Sequence, residues 1–172
     1  MAYFSKHLLF PADIFVNSTP YLISTVLGSC VSVCLHDAEL KHGAINHYIL
    51  PHWNGHDLAT MKYGNLSIIR ILEELLKLGS NYKNIVAQLF GGAEIISGMP
   101  TNFHIGKRNV RVAIEILGEL KIPVIFSDTG GNRGRKIIFN TFTGEVESDL
   151  IRQREGSNTQ VYKRKSLISS NT

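Results

Sequence analysis

The sequence predicts an α+β fold in which strands dominate. Short apolar runs recur between turn residues along most of the 172-residue chain, and such runs are the signature of strands. Two longer runs instead repeat their apolar residues at helical spacing. The strand-like runs mostly follow one another through short turns rather than alternating with helices, which excludes a doubly wound parallel sheet. The length fits one domain with a sizeable core, and a hydrophobic fraction of 44% is ordinary for a soluble globular chain.

Residues 7–10, 14–16 and 21–26 are apolar runs separated by Pro11, Asn17-Ser18 and Pro20, and read as strands joined by turns. Val31-Ser32-Val33-Cys34-Leu35 alternates, so 30–36 is a strand with the turn formers Gly28 and Ser29 at its mouth. Asp37 to His42 is hairpin-like, and 43–50 is a second strand-like run ended by Pro51. Asn65 to Leu78 is the clearest helix. Asn65 can cap it, Gly79 can end it, and Ile68, Leu72, Leu75 and Leu76 make its buried side. Arg70, Glu73, Glu74 and Lys77 form its polar stripe, with Glu73 spaced to pair with Lys77. Ile85 to Phe90 is a strand. Gly91-Gly92 behind it lacks both a P-loop lysine and a dinucleotide glycine pattern, so it is a tight turn where backbone meets backbone. Asn109 to Leu120 is a second helix with Val110, Ala113, Ile114 and Leu117 on one face. Pro123 to Ser127 is a strand, Asp128 to Lys136 a glycine-shaped turn with surface arginines, and Lys136 to Phe142 with Glu145 to Glu147 a closing hairpin. The total is about nine strands and two helices.

The net charge of +4 is unevenly placed. Beyond Ile151, Arg152, Arg154, Lys163, Arg164 and Lys165 stand against Glu155 alone, so the whole excess sits there. We read 1–150 as the single domain and 151–172 as a basic, solvated tail, with an acidic partner as the sharper alternative. No nucleic-acid-binding motif accompanies the charge. No apolar run is long enough to span a bilayer, and the N-terminus has no secretory pattern. Cys30 and Cys34 stand four apart, roughly 13 Å along one strand face, too far to bridge. Free thiols and no signal predict a reducing cytoplasm. His42, His47, His52 and His56 match no structural zinc spacing, so no metal is expected.

Chemistry concentrates at Leu27-Gly28-Ser29-Cys30-Val31. A cysteine at the mouth of a strand, after small turn residues, suits a nucleophile: substrate can approach the backbone, and N–H groups near Ser29 and Cys30 can face an oxyanion. His47, seventeen residues on in a neighbouring strand-like run, could activate the thiol. Ser24 and Thr25 could orient the imidazole. Spacing alone favours a small core cysteine and a satisfied strand histidine, since cysteine is among the most buried residue types.

Taken together, Leu27-Gly28-Ser29-Cys30-Val31, Asn46-His47-Tyr48-Ile49-Leu50-Pro51, Tyr63-Gly64, Leu89-Phe90-Gly91-Gly92-Ala93, Ile105-Gly106 with Asn109, Asp128 with Gly130-Gly131, and Arg133-Gly134-Arg135-Lys136 resemble the CheD family of chemoreceptor glutamine deamidases. The resemblance covers about Ser24 to Gly144, most of the chain. It implies a sandwich of mostly antiparallel sheets with helices packed outside. It implies Cys30 as nucleophile, His47 as base and a hydroxyl shortly upstream as third member. The gap to the cysteine favours Ser24 over Thr25 for that role. Gln88 stands where the family often has lysine. The substrates implied are glutamines of methyl-accepting chemotaxis receptors, with no cofactor. The alternative role is regulatory binding to the chemotaxis phosphatase CheC. A cysteine peptidase is disfavoured because no Asn or Asp marks a papain-type third member.

Overall fold

The computed structural model describes residues 4–96, 98, 100 and 103–152, with the backbone of 163–166. Ten strands and two α-helices follow in the order β1 (Ser5–Leu8), β2 (Ile14–Asn17), β3 (Tyr21–Leu27), β4 (Val31–Asp37), β5 (His42–Asn46), α1 (Gly64–Lys77), β6 (Ile85–Gly91), α2 (Ile105–Glu119), β7 (Val124–Thr129), β8 (Arg135–Asn140), β9 (Val146–Leu150) and β10 (Lys163–Ser166). They build two five-stranded sheets, one in the order β1-β3-β8-β9-β10 and the other β2-β5-β4-β6-β7. Among the strands of the described residues, only β1 with β3 and β6 with β7 pair in parallel. The α+β expectation, with mostly antiparallel strands and helices outside, is met.

Side-chain alternation sorts the core into two layers. Ile23 and Leu27 of β3, Ile137 and Phe139 of β8 and Val146 of β9 meet Cys34, Ile45 and Phe90 of the other sheet, filling the gap between the sheets. On the far face of the second sheet, Val31, Val33, Leu35, Ala87 and Leu89 pack under Ile68, Ile71, Leu75, Ala113 and Leu117 of the helices. Strand β4 is therefore buried along its whole length.

Several local expectations change. Tyr63, not Asn65, is the α1 cap residue, and it makes no side-chain capping bond. Asn65 is drawn away because its Oδ1 accepts from the N–H of Trp53 (2.9 Å). Lys77 pairs with Glu74 (2.8 Å) rather than Glu73. Helix α2 starts four residues earlier than Asn109, and its buried row runs through Gly106, Asn109, Val112, Ala113 and Leu117. Ile114 lies on its flank and is exposed. Arg135 is not on the surface but 2% exposed, because the Asp128 carboxylate (2.8 Å) and the carbonyls of Asp128 and Gly130 receive its guanidinium. Within the stretch read as a tail, Lys163–Ser166 pairs antiparallel with β9; apart from these and Ile151-Arg152, that stretch lies outside the described residues.

Candidate active site

Gly28 to Cys30 carries the chain from the end of β3 in one sheet to the start of β4 in the other. All three carbonyls are held. Gly28 O accepts from the N–H of Ala93 (2.9 Å) and Cys30 O from that of Gly92 (2.8 Å), while Ser29 O accepts from Nδ2 of Asn109 (3.0 Å). A trans peptide unit is planar, with its C=O and N–H opposed. Pinning the Gly28 and Ser29 carbonyls therefore aims the N–H groups of Ser29 and Cys30 the other way. The Cys30 N–H faces its own sulfur. Gly91 permits this packing: its φ is +106°, and a Cβ there would stand 2.1 Å from Cys30 O.

His47 is the first residue beyond β5. Its carbonyl accepts from the N–H of Ala12 (2.8 Å), and its N–H donates to Asp13 O (3.0 Å). The next residue, Tyr48, exchanges backbone bonds with Val31 at 3.0 and 3.1 Å. Val31 and Tyr48 both point into the core beneath the helices, so their neighbours Cys30 and His47 project from the opposite face, between the sheets. Cys34 and Ile45, paired farther along these strands, point the same way. In this register Cys30 and His47 are diagonal neighbours across the ladder, with backbones about 7 Å apart.

The first sheet supplies the hydroxyl. Burial along β3 alternates, with Ile23, Thr25 and Leu27 inward. Thr25 Oγ1 lies 2.8 Å from Nδ1 of His47 and donates to Leu9 O at 2.8 Å. A hydroxyl has one hydrogen. With that hydrogen on Leu9 O, Oγ1 can only accept from the ring, so Nδ1 carries the proton and Nε2 keeps its lone pair. Nε2 is buried and has no partner among the described residues. Ser24 sits on the outward face of β3, half-buried, and no hydrogen bond joins it to His47 among the described residues. The preference for Ser24 is thus corrected: strand parity gives the inner face, and with it His47, to Thr25.

Cys30 and His47 are both neutral at rest. Burial lowers the His47 imidazole to about 4, with the Asp13 carboxylate acting weakly against it. Burial raises the Cys30 thiol above its ordinary value, partly offset by its own N–H. Cys34 is wholly enclosed and pushed far higher by burial, so it is an inert core thiol. Both cysteines are free.

A mostly apolar cavity of about 440 Å³ opens beside Ser29, between Ala93, Ile95, Ile96, Phe103 and Ile105. Gly28 lies behind Ile95, where a Cβ would stand 2.7 Å from Cδ1 of that residue, and lines a second cavity on its other side with Leu27, Asn132 and Gly134. Of the expected residues, Thr25 therefore contacts His47, Cys30 shares the inter-sheet face with His47 by register, Gly28 and Ser29 form the turn that leads to Cys30, and Ser24 lies apart on the outer face. Asn109 was singled out in the sequence only as part of a family pattern and a helix start. In the structure it is fully buried and bonded to Ser29 O beside Cys30 and to Ile49 O near His47. No periodic signal separated it, because the expected helix began at Asn109 itself, whereas α2 starts at Ile105. His52 and His56 line a separate cavity with Asp57 and Arg108.

Among known proteins, the family described as CheD chemotactic sensory transduction matches residues 49–149. A protein of Trichlorobacter lovleyi named probable chemoreceptor glutamine deamidase CheD is 46% identical over 141 residues, covering 82% of this chain and 88% of the relative. One of the same name in Sulfurimonas denitrificans is 39% identical, covering 88% and 98% respectively. A third, in Anaeromyxobacter dehalogenans, is 39% identical and covers 79% of each chain.

Proposed function

This chain belongs to the CheD family, and on that premise we propose that it deamidates glutamine side chains of methyl-accepting chemotaxis receptors, giving glutamate and ammonia through a Cys30–His47–Thr25 site. The relatives' names support the substrate class. The observation that carries the mechanism is the chain Leu9 O, Thr25 Oγ1, His47 Nδ1, which leaves Nε2 as the basic nitrogen on the face it shares with Cys30.

Nε2 of His47 takes the thiol proton as Sγ attacks the glutamine carboxamide carbon. Because both groups start neutral, charge separates only as the carbon–sulfur bond forms. The N–H groups of Ser29 and Cys30 receive the oxyanion. The imidazolium then protonates the leaving nitrogen, ammonia departs and a thioester remains. Water gives its proton to Nε2 and attacks the thioester. Collapse releases glutamate, and the proton returns to Sγ. Thr25 accepts from Nδ1 throughout and holds the tautomer, as the third member of a triad does. The apolar cavity beside Ser29 receives side chains that flank the glutamine.

The test is high-resolution mass analysis of a receptor cytoplasmic fragment after incubation. The reading expects the small mass gain of amide-to-acid conversion at discrete glutamines, with ammonia released and no backbone cleavage. Unchanged glutamines, or cleaved backbone, would remove it.

A further inference from the structure

We propose that Asn109 is a positioning residue that replaces a missing rung of the ladder between the two reactive segments and thereby sets the peptide plane facing the reaction. The inference rests on the deamidase reading above and adds to it a residue outside the Cys–His–Thr set. In an antiparallel ladder, bonded pairs recur every second residue. Val31 and Tyr48 form such a pair, so the next would join Ser29 and Leu50, with the Leu50 N–H donating to Ser29 O. That donor is elsewhere: the N–H groups of Ile49 and Leu50 both go to Lys62 O, at 2.8 and 2.9 Å. The two chains part just where Cys30 must meet substrate.

Asn109 takes the vacated place. Its Nδ2 donates to Ser29 O (3.0 Å) and to Ile49 O (2.9 Å). One amide nitrogen has two hydrogens, and each goes to a carbonyl of a different reactive segment, one residue from Cys30 and two from His47. The reverse orientation would set Oδ1 against two carbonyl oxygens, so the network assigns the nitrogen. Asn109 is fully buried, and its own carbonyl accepts from the Tyr48 hydroxyl at 2.5 Å. Tyr48 is half of the last true rung, so helix α2 is keyed to the point where the ladder stops. Oδ1 is buried without a partner among the described residues, a cost that stability alone does not explain. The function of the bond to Ser29 follows from peptide planarity: it fixes the plane whose N–H, on Cys30, faces the developing oxyanion.

Asn109→Asp keeps the shape and removes the two-hydrogen fork; Asn109→Ala removes the group. Val112→Ala, in the same buried row of α2, serves as a control for loss of packing. All are assayed for deamidation of the receptor fragment at a temperature where circular dichroism shows each folded. Both Asn109 variants should lose about 100-fold in kcat, the scale of a 1 Å misplacement of reacting groups, with KM within about threefold. Val112→Ala should lower the thermal midpoint with kcat unchanged. If folded Asn109→Asp or Asn109→Ala keeps the wild-type kcat, or if kcat falls equally in Val112→Ala, the inference is overturned. If neither Asn109 variant folds while Val112→Ala does, the residue is structural and the inference is likewise overturned. Wild-type enzyme without activity would instead sink the deamidase reading.

Discussion

Two turns cross between the sheets side by side, and they are built on opposite electrostatic plans. Gly28 to Cys30 leads from β3 to β4, and Gly130 to Gly134 leads from β7 to β8. They adjoin, since Leu27 pairs with Arg135. The second turn is tied by a buried ion pair: Arg135 meets Asp128 at 2.8 Å, and the other oxygen of Asp128 accepts from Ser148 Oγ (2.7 Å). The first is held by neutral hydrogen bonds and carries two groups that burial keeps uncharged. A buried charge is tolerable when its partners are fixed around it, as at Arg135. Under the proposed mechanism, the Cys30–His47 pair has no such fixed partner until substrate arrives, and keeping it neutral would confine charge separation to the step in which the oxyanion forms opposite it.

The sharpest way to separate the two turns is to break each. Cys30→Ala should abolish ammonia release while moving the thermal midpoint little, because a half-buried sulfur at a turn leaves a small cavity. Arg135→Met should do the reverse. It removes the guanidinium and its ion pair with Asp128, at a cost of about 1.5–3 kcal/mol, the scale of a hydrogen bond to a charged group, yet activity per folded molecule should persist. Denaturant melts and ammonia release on both variants check this. A folded Arg135→Met enzyme as inactive as Cys30→Ala would erase the division between the turns.

Within the reactive turn, Thr25→Ala should lower kcat by roughly ten- to a thousandfold, within the range for a supporting member of a triad. Ser24→Ala, on the outer face of β3, should cost about 1 kcal/mol of stability or less and no activity. Side-by-side rates and melts decide it, and the opposite pattern would return the role to Ser24.

How much of this was legible follows from parity and its interruptions. The nine expected strands appear; in β3, β8 and β9 the apolar alternation follows one buried face, whereas β1 is exposed throughout and β7 buries no residue fully. Cys30 and His47 were legible as a candidate pair because each lies beside a strand whose alternation can be read. Thr25 was not separable from Ser24, since Gly28 and Ser29 break the count back from Cys30 and a hydroxyl stands at both places. Asn109 was hidden because asparagine near the start of a helical run reads as a cap. Arg135 was misread because its carboxylate partner lies seven residues away across a glycine turn, a distance that carries no periodic signal. Strand β10 had no signal either: Lys163–Ser166 is mostly charged, and only pairing with β9 makes it a strand.

The neutral state of the reactive turn has a smaller, pH-dependent consequence. His47 takes up a proton near 6.5 in the unfolded chain and at about 4 in the folded one. Between those values the unfolded chain binds more protons, so this contribution to stability is complete above about pH 6.5 and declines as pH falls toward 4. Thermal midpoints from pH 4 to 7 should therefore fall more steeply for the wild type than for His47→Gln; equal slopes would show an ordinary, solvated imidazole. The acid limb of kcat/KM should likewise lie below the 6.5 of a free imidazole.

The central claim is that Cys30 carries the acyl group of the substrate glutamine. Acid quenching during the first turnover, followed by peptide mass mapping of the enzyme, tests it directly. The account predicts the Cys30 peptide joined to the receptor peptide, with the combined mass reduced by one ammonia. A free Cys30 thiol in an enzyme whose acyl group is found on another side chain would contradict it.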